Sequence, residues 1–80
     1  MATGTITRET MARYALLTAD EHYAMQGRAY REAARCWSES RANLDPDARE
    51  LLRRSAIEAS AFYDEVTLAL QARTRPEFVA

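Results

Sequence analysis

Lysine is absent from the 80 residues, cysteine, histidine and tryptophan occur once each, and glycine and proline twice each. A single cysteine excludes a disulfide framework within the chain. A single histidine excludes a multi-histidine metal site, since His22 and Cys36 together supply two ligands at most. The scarcity of glycine and proline excludes a collagen-like chain and argues against a turn-rich β-sandwich. No apolar run approaches the roughly 20 residues of a membrane span, and no cored leader opens the chain, so a cytoplasmic location is expected. Eleven arginines against twelve acids give a formal net charge of -1, which removes any global pull toward nucleic acid. Neither a glycine-rich phosphate loop nor a nucleophile elbow is present.

What remains, 48% hydrophobic and 29% charged residues rich in Ala, Arg, Glu and Leu, is the composition of a helical domain. Surface scaling for this mass gives about 4,900 Å² folded against about 13,200 Å² unfolded, so the core is thin. Residues 1–6 lack any period and read as a flexible lead-in, and residues 76–80 as a flexible tail. A first helix is predicted over Arg8 to Gln26, stopped by Gly27 in the left-handed conformation that helix ends favour. A second runs for roughly 14 residues with Ala29, Tyr30, Ala33, Ala34, Cys36 and Trp37 on one face. Asp45-Pro46 then punctuates the chain, as an N-cap followed by proline at the first helical position. The third helix follows to about Arg73.

The expected architecture is all-α: one domain in which a hairpin of the first two helices packs on a long third helix as a three-helix bundle, with dimerisation open. Leu16, Tyr23, Tyr30, Ala33, Ala34, Trp37, Leu51, Leu52, Phe62 and Val66 are expected in the core. Loss of Trp37 from such a core would cost about 3 to 5 kcal/mol. Ile57, Ala61 and Leu68 lie on the other side of the third helix and are surplus to that core. They are either scattered surface hydrophobes or an interface.

The segment Gly27-x-x-Tyr30-x-Glu32-Ala33-Ala34-x-x-Trp37 carries the most information, because small alanines permit close helix packing and the aromatic pair fills its ends. This segment resembles the ANR family of small bacterial transcriptional regulators and, more distantly, the PerC-like activators. It is also similar to half of a tetratricopeptide repeat, extending through Leu44-Asp45-Pro46 to Ala48. A repeat protein needs about three stacked units, and no second copy is visible. The ANR resemblance implies a small helical protein that binds an AraC-type activator and suppresses it, with no catalysis. The region Arg49 to Ala61 departs from the family pattern in carrying no cysteine.

Candidate chemistry elsewhere is sparse. His22 reads as a helix-face histidine with a hydrogen-bond partner, and Cys36 as a small buried hydrophobe. The acid pairs Asp20-Glu21 and Asp64-Glu65 diverge by about 100° on a helix and cannot converge on one substrate atom. Arg35, Arg41, Arg49, Arg53 and Arg54 form a basic edge that Glu39, Glu50 and Glu58 can neutralise at helical spacing. Neither enzyme activity, nor a cofactor, nor direct DNA binding is therefore expected. The expected function is a protein-binding regulator whose contacts are Ile57, Ala61, Leu68, Arg53 and Arg54, docked helix-in-groove on a transcriptional activator. The alternative is a phage or mobile-element inhibitor, of anti-CRISPR or anti-defence type, that covers a nucleoprotein complex.

Overall fold

The computed structural model describes residues 5–80, so the first four residues of the expected lead-in lie outside the described residues. The chain is all-α, with three helices and no strand among the described residues: α1 (Arg8–Tyr14), α2 (Ala19–Ala42) and α3 (Pro46–Thr74), then a 3-10 turn at Pro76–Phe78. Thr7 caps α1 by accepting from the Thr10 amide. Asp45 caps α3 by accepting from the Asp47 amide, with Pro46 inside the first turn as expected.

The first break falls elsewhere than predicted. Thr18 and Glu21 form a reciprocal capping box, the Thr18 hydroxyl accepting from the Glu21 amide at 3.1 Å and the Glu21 carboxylate from the Thr18 amide at 2.9 Å. Two orphan amides are satisfied at once, which starts a new helix at Ala19 and limits α1 to two turns. Gly27 is no stop. It has no positive φ, and α2 runs straight through it for 24 residues. A Cβ added there would sit 3.3 Å from Nη1 of exposed, flexible Arg31. Gly27→Ala is therefore expected to stabilise the protein by about 0.5–1 kcal/mol in denaturant unfolding, whereas a helix ending at Gly27 would lose stability on the same change.

The hairpin is accordingly made by α2 and α3, turned at 43–45, rather than by the first two helices. Its seam alternates steps of four and three residues on both sides. His22, Gln26, Ala29, Ala33, Cys36 and Ser40 on α2 face Leu52, Ala56, Ala59, Tyr63 and Val66 on α3. Such spacing keeps one stripe of each helix against the other. Ala29, Ala33 and Ala56 are buried, and side chains this small let the two helices approach closely. Three bonds fix the antiparallel register. His22 Nε2 donates to the Val66 carbonyl (3.1 Å), Gln26 Nε2 to Thr67 Oγ1 (2.9 Å) and Ser40 Oγ to the Arg49 carbonyl (3.1 Å).

The apolar core sits at one end of this hairpin, where Ile6 and Tyr14 pack on Val66, Ala69 and Ala72 of α3. Ile6 and Val79 form an isolated parallel bridge, with Ile6 N–H donating to the Phe78 carbonyl and Ala80 N–H to the Ile6 carbonyl. Residues read from sequence as lead-in and tail are thus tied to each other across α3. The rest of the hairpin has no third layer. The Cα extents of the chain are 45 × 30 × 15 Å, and its radius of gyration is 14.8 Å against about 11.6 Å for a compact chain of this length.

A hairpin covered by α1 and the C-terminal turn at one end only cannot bury the expected core. Of the ten residues assigned to it, Ala33 and Val66 are buried, Trp37 and Leu52 are half-buried, and Leu16, Tyr23, Tyr30, Ala34, Leu51 and Phe62 are exposed. Trp37 does not plug an interior, so the cavity part of the expected 3 to 5 kcal/mol cost of removing it disappears.

Candidate protein-binding surface

The polar groups with chemical potential are spent on structure. His22 is fully buried and engaged at both ring nitrogens. Because a carbonyl only accepts, Nε2 carries the proton toward Val66. Nδ1 is then a bare acceptor for Arg73 Nη1 at 3.3 Å. Burial pushes the His22 pKa below its ordinary value, the Arg73 cation pushes the same way, and the bond to Val66 opposes both. The Tyr14 ring stacks on His22 with centroids 4.8 Å apart. Its hydroxyl donates to Glu65 at 2.7 Å, and burial, then that bond to a carboxylate, holds the phenol well above its usual range. Arg73 also donates to the Tyr14 carbonyl at 3.2 Å, so one cation ties the end of α1 to α2 and α3.

Cys36 is buried, and burial followed by its contact with Glu32 raises its pKa, which keeps it a thiol. It stands 14 residues from His22 on the same straight helix, about 21 Å along the axis, so the two cannot act on one substrate. Among the described residues no group of three or more His, Cys, Asp or Glu side chains could hold a metal ion. The acid pairs diverge as their spacing requires: Glu21 caps a helix, and Glu65 receives Tyr14 while Asp64 lines a groove on the other side.

The basic edge is largely neutralised within its own helices. Arg35 pairs with Glu32 and Glu39, and Arg53 and Arg54 share Glu50 at 3.3 Å each. Exposed on α3, Arg53 and Arg54 stand near exposed Ile57 and Ala61, all four on its outward side. Leu68 differs from the expectation for it: it is half-buried against the Ile6–Tyr14–Val66 cluster and helps hold α1 and the C-terminal turn.

Sequence reasoning missed the surface that the molecule actually opens. Tyr23, Tyr30 and Trp37 follow one another at seven-residue steps, so a continuous helix aligns them along one line. That line is not the seam but the edge of one broad face of the hairpin, where Tyr23 and Tyr30 are each 62% exposed. Tyr63 of α3 meets Tyr30 there, with ring centroids 5.8 Å apart and tilted by 58°. Between Tyr30 and Trp37 lies a shallow open groove floored by Ala33, Ala34 and Ser60, with Arg41 toward one end and Asp64 toward the other. The seven-residue repeat was the available signal. A stop at Gly27 would break that repeat, and α2 is continuous through it.

The opposite face also carries apolar groups, Met25, Ala29, Ala59 and Phe62, but Arg28, Glu32 and Glu58 interrupt it. Its upper part is covered by α1 and the C-terminal turn. No helix among the described residues is long and apolar enough to cross a membrane.

The fold and its surface thus define an all-α helical hairpin buttressed at one end by a short helix. No family model matches the chain, and comparison with curated proteins and with solved structures returned no match.

Proposed function

We propose that this chain is a small non-catalytic protein-binding regulator that lays an exposed helical surface against another protein. Its target in this reading is an AraC-type transcriptional activator, which it restrains. The observation that carries the reading is the thinness of the molecule. A chain only 15 Å across its shortest axis leaves large apolar side chains, Tyr30, Leu51, Ile57 and Phe62 among them, uncovered in water. Exposed apolar side chains on a helix are what helix-in-groove docking uses. The ANR-like segment Gly27 to Trp37 supplies the target class. The outward side of α3, with Ile57 and Ala61 flanked by Arg53 and Arg54, has the apolar centre and charged rim of a transient interface.

The test is co-expression with an AraC-type activator and a reporter promoter that depends on it. Reporter output is expected to fall by roughly tenfold or more, the equivalent of about 1.4 kcal/mol in activator occupancy. Ile57→Asp with Ala61→Asp is expected to restore output while leaving helical circular dichroism intact. Leu68 is excluded from that variant because it supports the core. Unchanged output with the folded wild-type chain contradicts the target. Binding of the purified chain to promoter DNA with an affinity that collapses as salt rises contradicts the protein-binding reading.

A further inference from the structure

We propose that a second copy of this chain docks on the aromatic face, so that Tyr30 and Trp37 of both copies are buried in a symmetric four-helix arrangement. This goes beyond the regulator reading and does not depend on which protein is the target.

Three observations identify the occupant. The first is area. The chain exposes 5807 Å², whereas a compact monomer of its mass exposes about 4,900 Å². An interface of standard size buries roughly 800 Å² on each partner, which the whole chain's excess of about 900 Å² has room for.

The second is shape. A hairpin of two helices is half of a four-helix bundle, and another hairpin is the simplest body that supplies the missing layer. Ala33 and Ala34 lie midway between Tyr30 and Trp37 on α2. A twofold axis crossing the helices at that level sets Trp37 of one copy over the Tyr30 level of the other, with small residues at the centre where backbones come closest.

The third is charge. Arg41 and Asp64, of opposite sign, stand toward opposite ends of the groove, and neither takes part in the ion pairs found among the described residues. The same twofold axis brings the Arg41 end of one copy over the Asp64 end of the other, so self-association meets attraction rather than like-charge repulsion. On the opposite face Arg28, Glu32 and Glu58 stand among the apolar groups, and α1 packs over part of it.

The test is molar mass of the full chain by light scattering or sedimentation equilibrium. Standard-size interfaces give dissociation constants from micromolar downward, so at about 100 µM the wild type is expected near 18 kDa, twice its 9.1 kDa. Tyr30→Arg, placing a charge on both copies at an exposed position, is expected to weaken association at least about 100-fold and leave a helical monomer. Phe62→Ser, on the opposite face, is expected to leave the dimer intact. A wild type of 9.1 kDa at that concentration overturns the proposal, as does a dimer that survives Tyr30→Arg or is lost with Phe62→Ser. Should Tyr30→Arg fail to fold, Ala34→Cys decides. A short bismaleimide is expected to join two chains through this central position and not through Ala61→Cys, and single chains only from Ala34→Cys would contradict the proposal. The buried Cys36 thiol leaves the wild type as an unreactive control. Failure here leaves the reporter experiment standing, and failure there leaves this one.

Discussion

His22→Ala is expected to destabilise the protein by about 2–5 kcal/mol, the range for truncating a fully buried large side chain. That is a large part of the roughly 4–12 kcal/mol expected for a domain of this length. The cost has several sources. The imidazole is fully buried, stacks on Tyr14, donates to the Val66 carbonyl and accepts from Arg73. Alanine leaves a void under the Tyr14 ring and cuts one of the three bonds that fix the level of α2 against α3. Detachment of α1 and the C-terminal turn should accompany the loss, since Tyr14 and Arg73 meet at the same point.

The same residue sets a pH dependence. The folded ring stays neutral below its ordinary pKa because burial and Arg73 disfavour its cation, while in the unfolded chain it takes up a proton near pH 6.5. The unfolded state therefore binds more protons in this window, and stability falls as pH drops below about 6.5, by at most about 1.4 kcal/mol per pH unit. Glu21 and Glu32, whose pKa values are lowered by the Thr18 and Arg35 hydrogen bonds, weaken the fold only at more acidic pH, below their ordinary value of 4.5. Denaturant unfolding between pH 5 and 7.5 separates the two, and His22→Ala should be flat across that interval. A wild type as stable at pH 5 as at pH 7 would mean that His22 is solvated.

Ala56→Leu is the second large effect, expected at about 1–3 kcal/mol or more. Ala56 is fully buried in the seam opposite Ala33, where the helices meet through small side chains. Leucine adds three carbons with no space to receive them, so the hairpin must splay. Leucine is also the better candidate for a buried helix position on hydrophobicity alone, which makes the sign informative. Stabilisation in thermal or denaturant unfolding would show that the seam is loosely filled and the helices are not in close contact.

Much of this architecture is legible in the residues. Asp45-Pro46 marks the start of α3 because both a cap acceptor and a missing N–H fit only there, and Pro76 marks its end. The apolar composition and scarce turn formers give the all-α class. The break between the first two helices lies before Ala19 and not at Gly27, because a glycine can sit inside a helix as well as end one. A glycine inside a helix costs only about 1 kcal/mol, less than a capping box and a long packed seam return. Thr18-x-x-Glu21 was the overlooked signal. With the turn at 43–45 rather than at Gly27, different helix faces meet. Alanines at 29, 33 and 56 form the contact, and Tyr23, Tyr30 and Trp37, natural core candidates by size, lie outside it. Periodicity reports which residues share a face, but not which face meets a neighbour when the chain is too short to cover all of them.

The central claim is that the chain reverses once, at 43–45, and passes through Gly27 without a break, so that its aromatic row faces outward. Amide hydrogen exchange of Gln26 to Arg31 tests this directly. The account predicts an unbroken run of protected amides from Tyr23 into the Tyr30 turn, with Gly27 exchanging no faster than its neighbours. Fast exchange confined to Gly27 and Arg28, together with slow exchange across Leu16 to Thr18, would place the turn at the glycine, return Tyr30 and Trp37 to the interior, and contradict it.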